Sequence, residues 1–228
     1  MTVNIQQQSK IAKSTILAKL TKQVSGADYT KLPIEQGYQY PEISQQAHID
    51  KFVSLLEANH AQVIKLDETN IANVVSKELE NRGISTLLYG KNARYCDQII
   101  KIEPGIKAQA FDFSLTKKQQ YKDKLFNDTP ASITSSHSAI AATGSIVLWP
   151  TINEPRTLSL VPPVHFVIVD ATSLHSDFAS LISAQQWQNN LPTNVVLVSG
   201  PSKTADIQQT LAYGAHGPKE LIVLLLNS

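Results

Sequence analysis

Gly200-Pro201-Ser202-Lys203-Thr204 stands between an apolar run, Val195–Val198, and a stretch with helical spacing. A glycine-bearing turn followed by hydroxyls and a lysine is a residue set that can hold an oxyanion. Backbone N–H groups, side-chain hydroxyls and one positive charge would do the holding. The loop is not a nucleotide P-loop, which needs glycine six residues and one residue before its lysine; Leu197 and Ser202 occupy those positions. No Gly-x-Gly-x-x-Gly occurs in the chain, so the dinucleotide fingerprint is missing too. Two readings stay open: an anion site at the opening of a helix, or a plain helix start. In the second, Ser202 or Thr204 is the cap and Asp206 complements the dipole.

Other groups with chemical potential share this half of the chain. Thr143-Gly144-Ser145 form a hydroxyl-bearing loop at the mouth of a strand. Glu154 and Arg156 lie two residues apart, as in a surface ion pair of little worth, yet arginine is also the usual two-pronged partner of carboxylate or phosphate. His165 precedes an apolar strand and reads as a satisfied core histidine or as a site residue. His216, with Gly217 beside it in "YGAHGPKE", reads as a ligand contact or as a cap for local carbonyls. Neither a Ser–His–Asp order nor a metal-ligand spacing emerges, so no residue is assigned as catalytic and no metal is expected.

The elements that must position these residues follow from periodicity. Residues 8–24 place Ile11, Ile16, Leu17, Leu20 and Val24 near one side of a helix ringed by lysines. Such a helix is either a partner or membrane surface or an ordinary solvated face. Thr30 to Pro41 reads as a connector. Beyond it, helix (42–60), strand (61–66), helix (70–83) and strand (84–90) alternate, which predicts crossover connections and a parallel sheet. Further strands are expected within 97–115, then a charged helix over 116–126. Strands at "PASIT" and "GSIVLW" flank "SSHSAIAATG", read as a short helix. "VHFVIVD", "NVVLVSG" and "LIVLLL" are strands, whereas "SLHSDFASLISAQQW" and "TADIQQTLAYG" are helices. The fold class is therefore α/β, an open, largely parallel sheet covered by helices. A helical segment over 1–40 precedes the α/β domain over 41–228.

Composition narrows the function classes. A net charge of +1 over 228 residues makes no electrostatic case for nucleic acid. From Leu125 onward the basic residues are Arg156, Lys203 and Lys219 alone, histidines aside, so an anion site there must use one of them or the backbone. Cys96 is the single cysteine, which rules out an intrachain disulfide or a four-cysteine iron–sulfur cluster. No apolar run reaches the roughly 18 residues of a membrane span, and no secretory leader opens the sequence. The expected location is the cytoplasm.

"IAATGSIVL", "RTLSLVPPVHFVIV", "SGPSKTADIQQTLAYGAHGPKEL" and "IVLLL" resemble the lactate utilisation domain family, over about residues 130–226. The resemblance implies a fold related to ribose-5-phosphate isomerases and coenzyme A transferases. It also implies a role in oxidising L-lactate to pyruvate beside two iron–sulfur partner proteins. The clusters would then sit on those partners, with no cofactor in this chain and a small carboxylate or phosphate as its ligand. One departure is Ala142, which stands where the family shows an acidic residue before Thr-Gly. An independent isomerase- or transferase-like enzyme, acting on a phosphorylated or acyl-coenzyme A substrate, is the alternative.

Overall fold

A computed structural model describes residues 5–28, 44–102, 105–112, 123, 125–205, 211–213 and 216–227. The chain divides into two compact units, Met1–Gln39 and Tyr40–Ser228. The first contains helix α1 (Ile5–Val24), in whose interior the Ser14 and Thr15 hydroxyls both donate to the Ile11 carbonyl. The expected connector falls outside the described residues.

The larger unit is built on six parallel strands in the order β1-β12-β7-β4-β2-β3. They are β1 (Gln62–Leu66), β2 (Thr86–Gly90), β3 (Lys107–Phe111), β4 (Ala131–Ser135), β7 (Val164–Asp170) and β12 (Glu220–Leu226). β7 and β12 lie side by side in the middle, buried on both faces, as their apolar runs over 166–169 and 221–226 require. One face packs Ile133, Phe166, Ile168 and Leu224 against α3 (Ile71–Glu80), which turns Ile71, Val75 and Leu79 inward at helical spacing. The other face packs Val167, Val169, Val223 and Leu225 against Phe52 and Leu56 of α2 (Gln45–Ala58). Ser44 caps α2, its hydroxyl accepting from the Ala47 N–H.

A second sheet lies on that same face, ordered β8-β5-β6-β9: β5 (Ser138–Ile140), β6 (Ser145–Leu148), β8 (Leu174–His175) and β9 (Val196–Val198). β9 pairs antiparallel with β6 and has no place in the parallel sheet. The short helices are α4 (Cys96–Ile99), α5 (Arg156–Leu160), α6 (Phe178–Ala184) and α7 (Trp187–Asn190). Asp177 caps α6, accepting from the Ser180 N–H at 2.9 Å.

Three expectations are corrected. Ser138–Ile140 is a strand, with Ser138 opposite Val147 and Ile140 opposite Ser145, because the small residues between β4 and β6 turn into a hairpin. Arg156–Leu160 is a one-turn helix where a loop was expected. The helix expected over 204–214 is replaced by an antiparallel ribbon, β10 (Lys203–Ala205) against β11 (Leu211–Tyr213). Here long-range pairing overrides local periodicity: the Ser202 N–H donates to the Pro218 carbonyl at 2.8 Å and directs the chain into the ribbon. Ser202 therefore opens no helix. The charged helix expected over 116–126 lies largely outside the described residues.

Candidate functional site

All six strands of the main sheet run the same way, so their carboxyl ends share one edge, where open α/β sheets ordinarily hold ligands. β4 ends there on Ser135, β7 on Asp170 and β2 on Gly90. A cleft of about 780 Å³ opens on this edge, lined by Arg94, Ser136, His137, Trp149 and Glu154, with Gln185 and Asn190 at the side of α6 and α7.

Glu154 reaches this edge on the loop before α5. The Thr151 hydroxyl accepts from the backbone N–H groups of Asn153 and Glu154, which curls the loop over the end of β2. Gly90 makes the approach possible, since a Cβ there would overlap the Asn153 carbonyl and come within 2.7 Å of the Glu154 Cγ. Ser135 then holds both carboxyl oxygens: its N–H donates to Oε1 at 2.8 Å and its hydroxyl to Oε2 at 2.5 Å. Burial pushes the Glu154 carboxyl above the ordinary carboxylate range, and the two Ser135 bonds pull the other way. Glu154 thus does not pair with Arg156, which is exposed.

Opposite stands Arg94, whose Nη2 donates to Asp170 Oδ2 at 3.0 Å while the guanidinium lies 5.1 Å from the centre of the Tyr95 ring. One N–H of its five is committed to Asp170. Asp170 stays below its usual range despite burial, because the Thr172 N–H and hydroxyl and Arg94 all donate to it. The Ser136 hydroxyl is buried and has no hydrogen-bond partner among the described residues.

His137 completes the wall, its ring 4.3 Å from that of Trp149, which packs edge-on against Trp187 at 5.4 Å. Gln185 Oε1 accepts from Trp187 Nε1 at 2.9 Å, which identifies that atom as oxygen. His137 Nε2, also 2.9 Å from Oε1, is then the nitrogen bearing hydrogen, and Nδ1 is left as an acceptor. Burial lowers the His137 pKa, so the ring is neutral.

The expected site residues divide between the two ends of the sheet. Glu154 alone lies in the carboxyl-edge cleft. His165, Gly200, Pro201, Ser202, Lys203, His216 and Gly217 meet at the amino edge, around a groove of about 370 Å³. Arg156 lines a small crevice behind Glu154 and not that groove. Thr143, Gly144 and Ser145 form the β5–β6 turn, where Gly144 lies against Leu55 of α2 and the Thr143 hydroxyl donates to that of Ser145. Thr204 contributes backbone to β10, and Asp206 lies outside the described residues. Ala142, at the position where the resemblance implies an acidic residue, packs into an apolar cluster with Trp187. Among the described residues no three His, Cys, Asp or Glu side chains converge as a metal-ligand set.

Sheet order, the second sheet laid across one face, and the strand-end clefts define an α/β protein of one kind. The chain belongs to the LUD domain family, whose model matches residues 49–226. The family expected from the sequence motifs is thus the family found. The chain is 34% identical over 230 residues to an uncharacterized protein of Neisseria meningitidis serogroup B, covering 94% of this chain and 93% of that one. It is 28% identical to lactate utilization protein C of Macrococcus caseolyticus, over 74% of this chain and 73% of the relative. With lactate utilization protein C of Bacillus subtilis it shares 24% identity over the same shares of each. In fold it is similar to the crystal structure of a DUF162 family protein from Deinococcus radiodurans, with a TM-score of 0.61 at 15% identity over 82% of this chain and all of that one.

Proposed function

We propose that this chain is a non-redox component of a cytoplasmic iron–sulfur system that oxidises L-lactate to pyruvate. Two iron–sulfur partner proteins would carry the clusters, and the carboxyl-edge cleft would receive a small carboxylate. The observation that carries the ligand class is that Arg94 and the Ser136 hydroxyl, buried and without a partner among the described residues, both line this cleft. A guanidinium fork matches a planar carboxylate, and an unsatisfied buried hydroxyl calls for a polar partner such as a 2-hydroxy group. The names of the Macrococcus and Bacillus relatives support the lactate role. A single cysteine supports the division of labour, since four-cysteine ligation needs another chain. Among the described residues no helix is long and apolar enough to cross a membrane.

The test is to isolate the native assembly and measure lactate-dependent reduction of an electron acceptor with and without this chain. Loss of turnover on removal, restored by adding wild-type chain and not by Arg94→Gln, is the expected result. Undiminished turnover without the chain would sink the reading.

Glu154 favours a second reading, an independent isomerase- or transferase-like enzyme on a phosphorylated or acyl-coenzyme A substrate. A carboxyl raised by burial at the carboxyl ends of a parallel sheet is placed as proton-transfer groups are. Turnover by the isolated chain, abolished in Glu154→Gln, would decide for it.

A further inference from the structure

The amino edge holds a set of groups that the carboxylate reading leaves unused. His165 and Leu221 are opposed residues on β7 and β12, and both line the groove there. Ser202, Lys203 and His216 line it with them. None of the described residues that line it is acidic. The charge of Lys203, with hydroxyls beside it, therefore favours an anion there.

His165 points to a ligand independently. Its side chain is 1% exposed, and burial lowers its pKa to about 3, so the ring is neutral. Nε2 lies 2.9 Å from the Thr134 hydroxyl, whereas Nδ1 has no hydrogen-bond partner among the described residues. A buried imidazole nitrogen is rarely left unpaired, and a polar group seated in the groove would satisfy it. The loop across the groove is seated in advance. Gly200 lies so close to α2 that a Cβ would stand 2.6 Å from the Asn59 carbonyl, and the Ser202 N–H is fixed to Pro218 at 2.8 Å. Binding would not have to order this loop.

We infer that the amino-edge groove binds the phosphoryl group of a small phosphate-bearing ligand. The choice of phosphoryl over carboxylate rests on the donor set. A planar carboxylate is best met by an arginine fork, which the groove lacks. A tetrahedral oxyanion accepts from several directions and is served by a lysine point charge with hydroxyls and imidazoles around it. Those donors come from three separated segments, at His165, Ser202–Lys203 and His216.

The test is a titration of the full chain at constant ionic strength, following histidine side-chain nitrogens by ¹H–¹⁵N NMR. Inorganic phosphate is the probe, with lactate and chloride as separate arms. Phosphate should move the His165 and His216 signals saturably, with Lys203→Gln weakening the apparent affinity at least tenfold and Arg94→Gln leaving it unchanged. Lys203 is exposed, so its replacement should not unfold the protein. No saturable shift with phosphate, equal affinity in Lys203→Gln, or equal saturation by lactate would each overturn the assignment.

Discussion

The two ends of one parallel sheet carry opposite chemistries. At the carboxyl edge, carboxyl groups and a cation face each other: Glu154 is held by Ser135, and Asp170 by Arg94, beside an aromatic wall. At the amino edge the described lining has lysine, histidine and hydroxyls without an acid. The difference has a topological cause. The carboxyl edge is furnished by loops that leave the strands of the main sheet. The amino edge is furnished by a loop from the second sheet, which crosses β7 and β12 where they begin. Laying a small antiparallel sheet on a parallel one thus gives the protein a second, independently composed cleft.

The largest expected effect separates the ends by pH. His165 has a folded-state pKa lowered to about 3 from an ordinary 6.5, so the unfolded chain binds its proton more readily. The stability linked to its neutral form is complete above the ordinary value and is lost as pH falls toward the folded one. One proton corresponds to about 1.4 kcal/mol per pH unit. Urea unfolding from pH 6.5 to pH 4 should show wild type losing about 3 kcal/mol more than His165→Gln over that range. Parallel slopes would mean that the amino-edge imidazole titrates normally.

Next in size are two glycine substitutions. Gly90→Ala and Gly200→Ala each force a Cβ against a backbone carbonyl, of Asn153 and Asn59 respectively. Overpacking of this kind costs about 1–3 kcal/mol. Each should damage one end alone: Gly90→Ala should weaken lactate binding and spare phosphate, and Gly200→Ala should do the reverse. Calorimetry with both ligands on both variants reads this directly, and loss of both ligands in either variant would break the comparison.

Arg94→Gln should weaken lactate binding about tenfold, the equivalent of about 1.4 kcal/mol. Its effect on thermal stability should be small, because Arg94 is itself exposed, Thr172 still donates to Asp170, and pairs with an exposed partner are worth about 0–1 kcal/mol. Smallest of all, Arg156→Ala should change neither affinity by more than about twofold, since charge-assisted bonds worth more than this would need contact with a ligand. A larger loss would return Arg156 to the anion site that the sequence suggested for it.

Much of this was legible before the structure. β7 and β12 announce themselves through the apolar runs 166–169 and 221–226, and α3 as an apolar stripe at helical spacing. Residue types and loop signals singled out His165, the Gly200–Lys203 loop and His216 one by one, but not the groove that they share. The ribbon did not show itself in this way, because the spacing of Ile207 and Leu211 imitates a helix and the decisive bond, from Ser202 to Pro218, joins residues sixteen apart. Nor did the carboxyl-edge cleft: Arg94 lies in a polar stretch without periodicity, and Glu154 finds Ser135 only through the curl of its loop. The hydroxyl run Ser135–Ser136 at the end of a strand, followed by His137, was the one signal that might have found it.

The position of β12 has a consequence for the order in which the protein can be made. It lies between β1 and β7, yet it is synthesised after every other strand of the sheet. Until residues 220–226 emerge from the ribosome, β1 has no partner in the main sheet and β7 presents an open, apolar edge. Such unpaired edges invite association with other chains. Closure of the sheet therefore waits for a central strand that is made after the others, and any pause before it leaves the apolar edge of β7 uncovered.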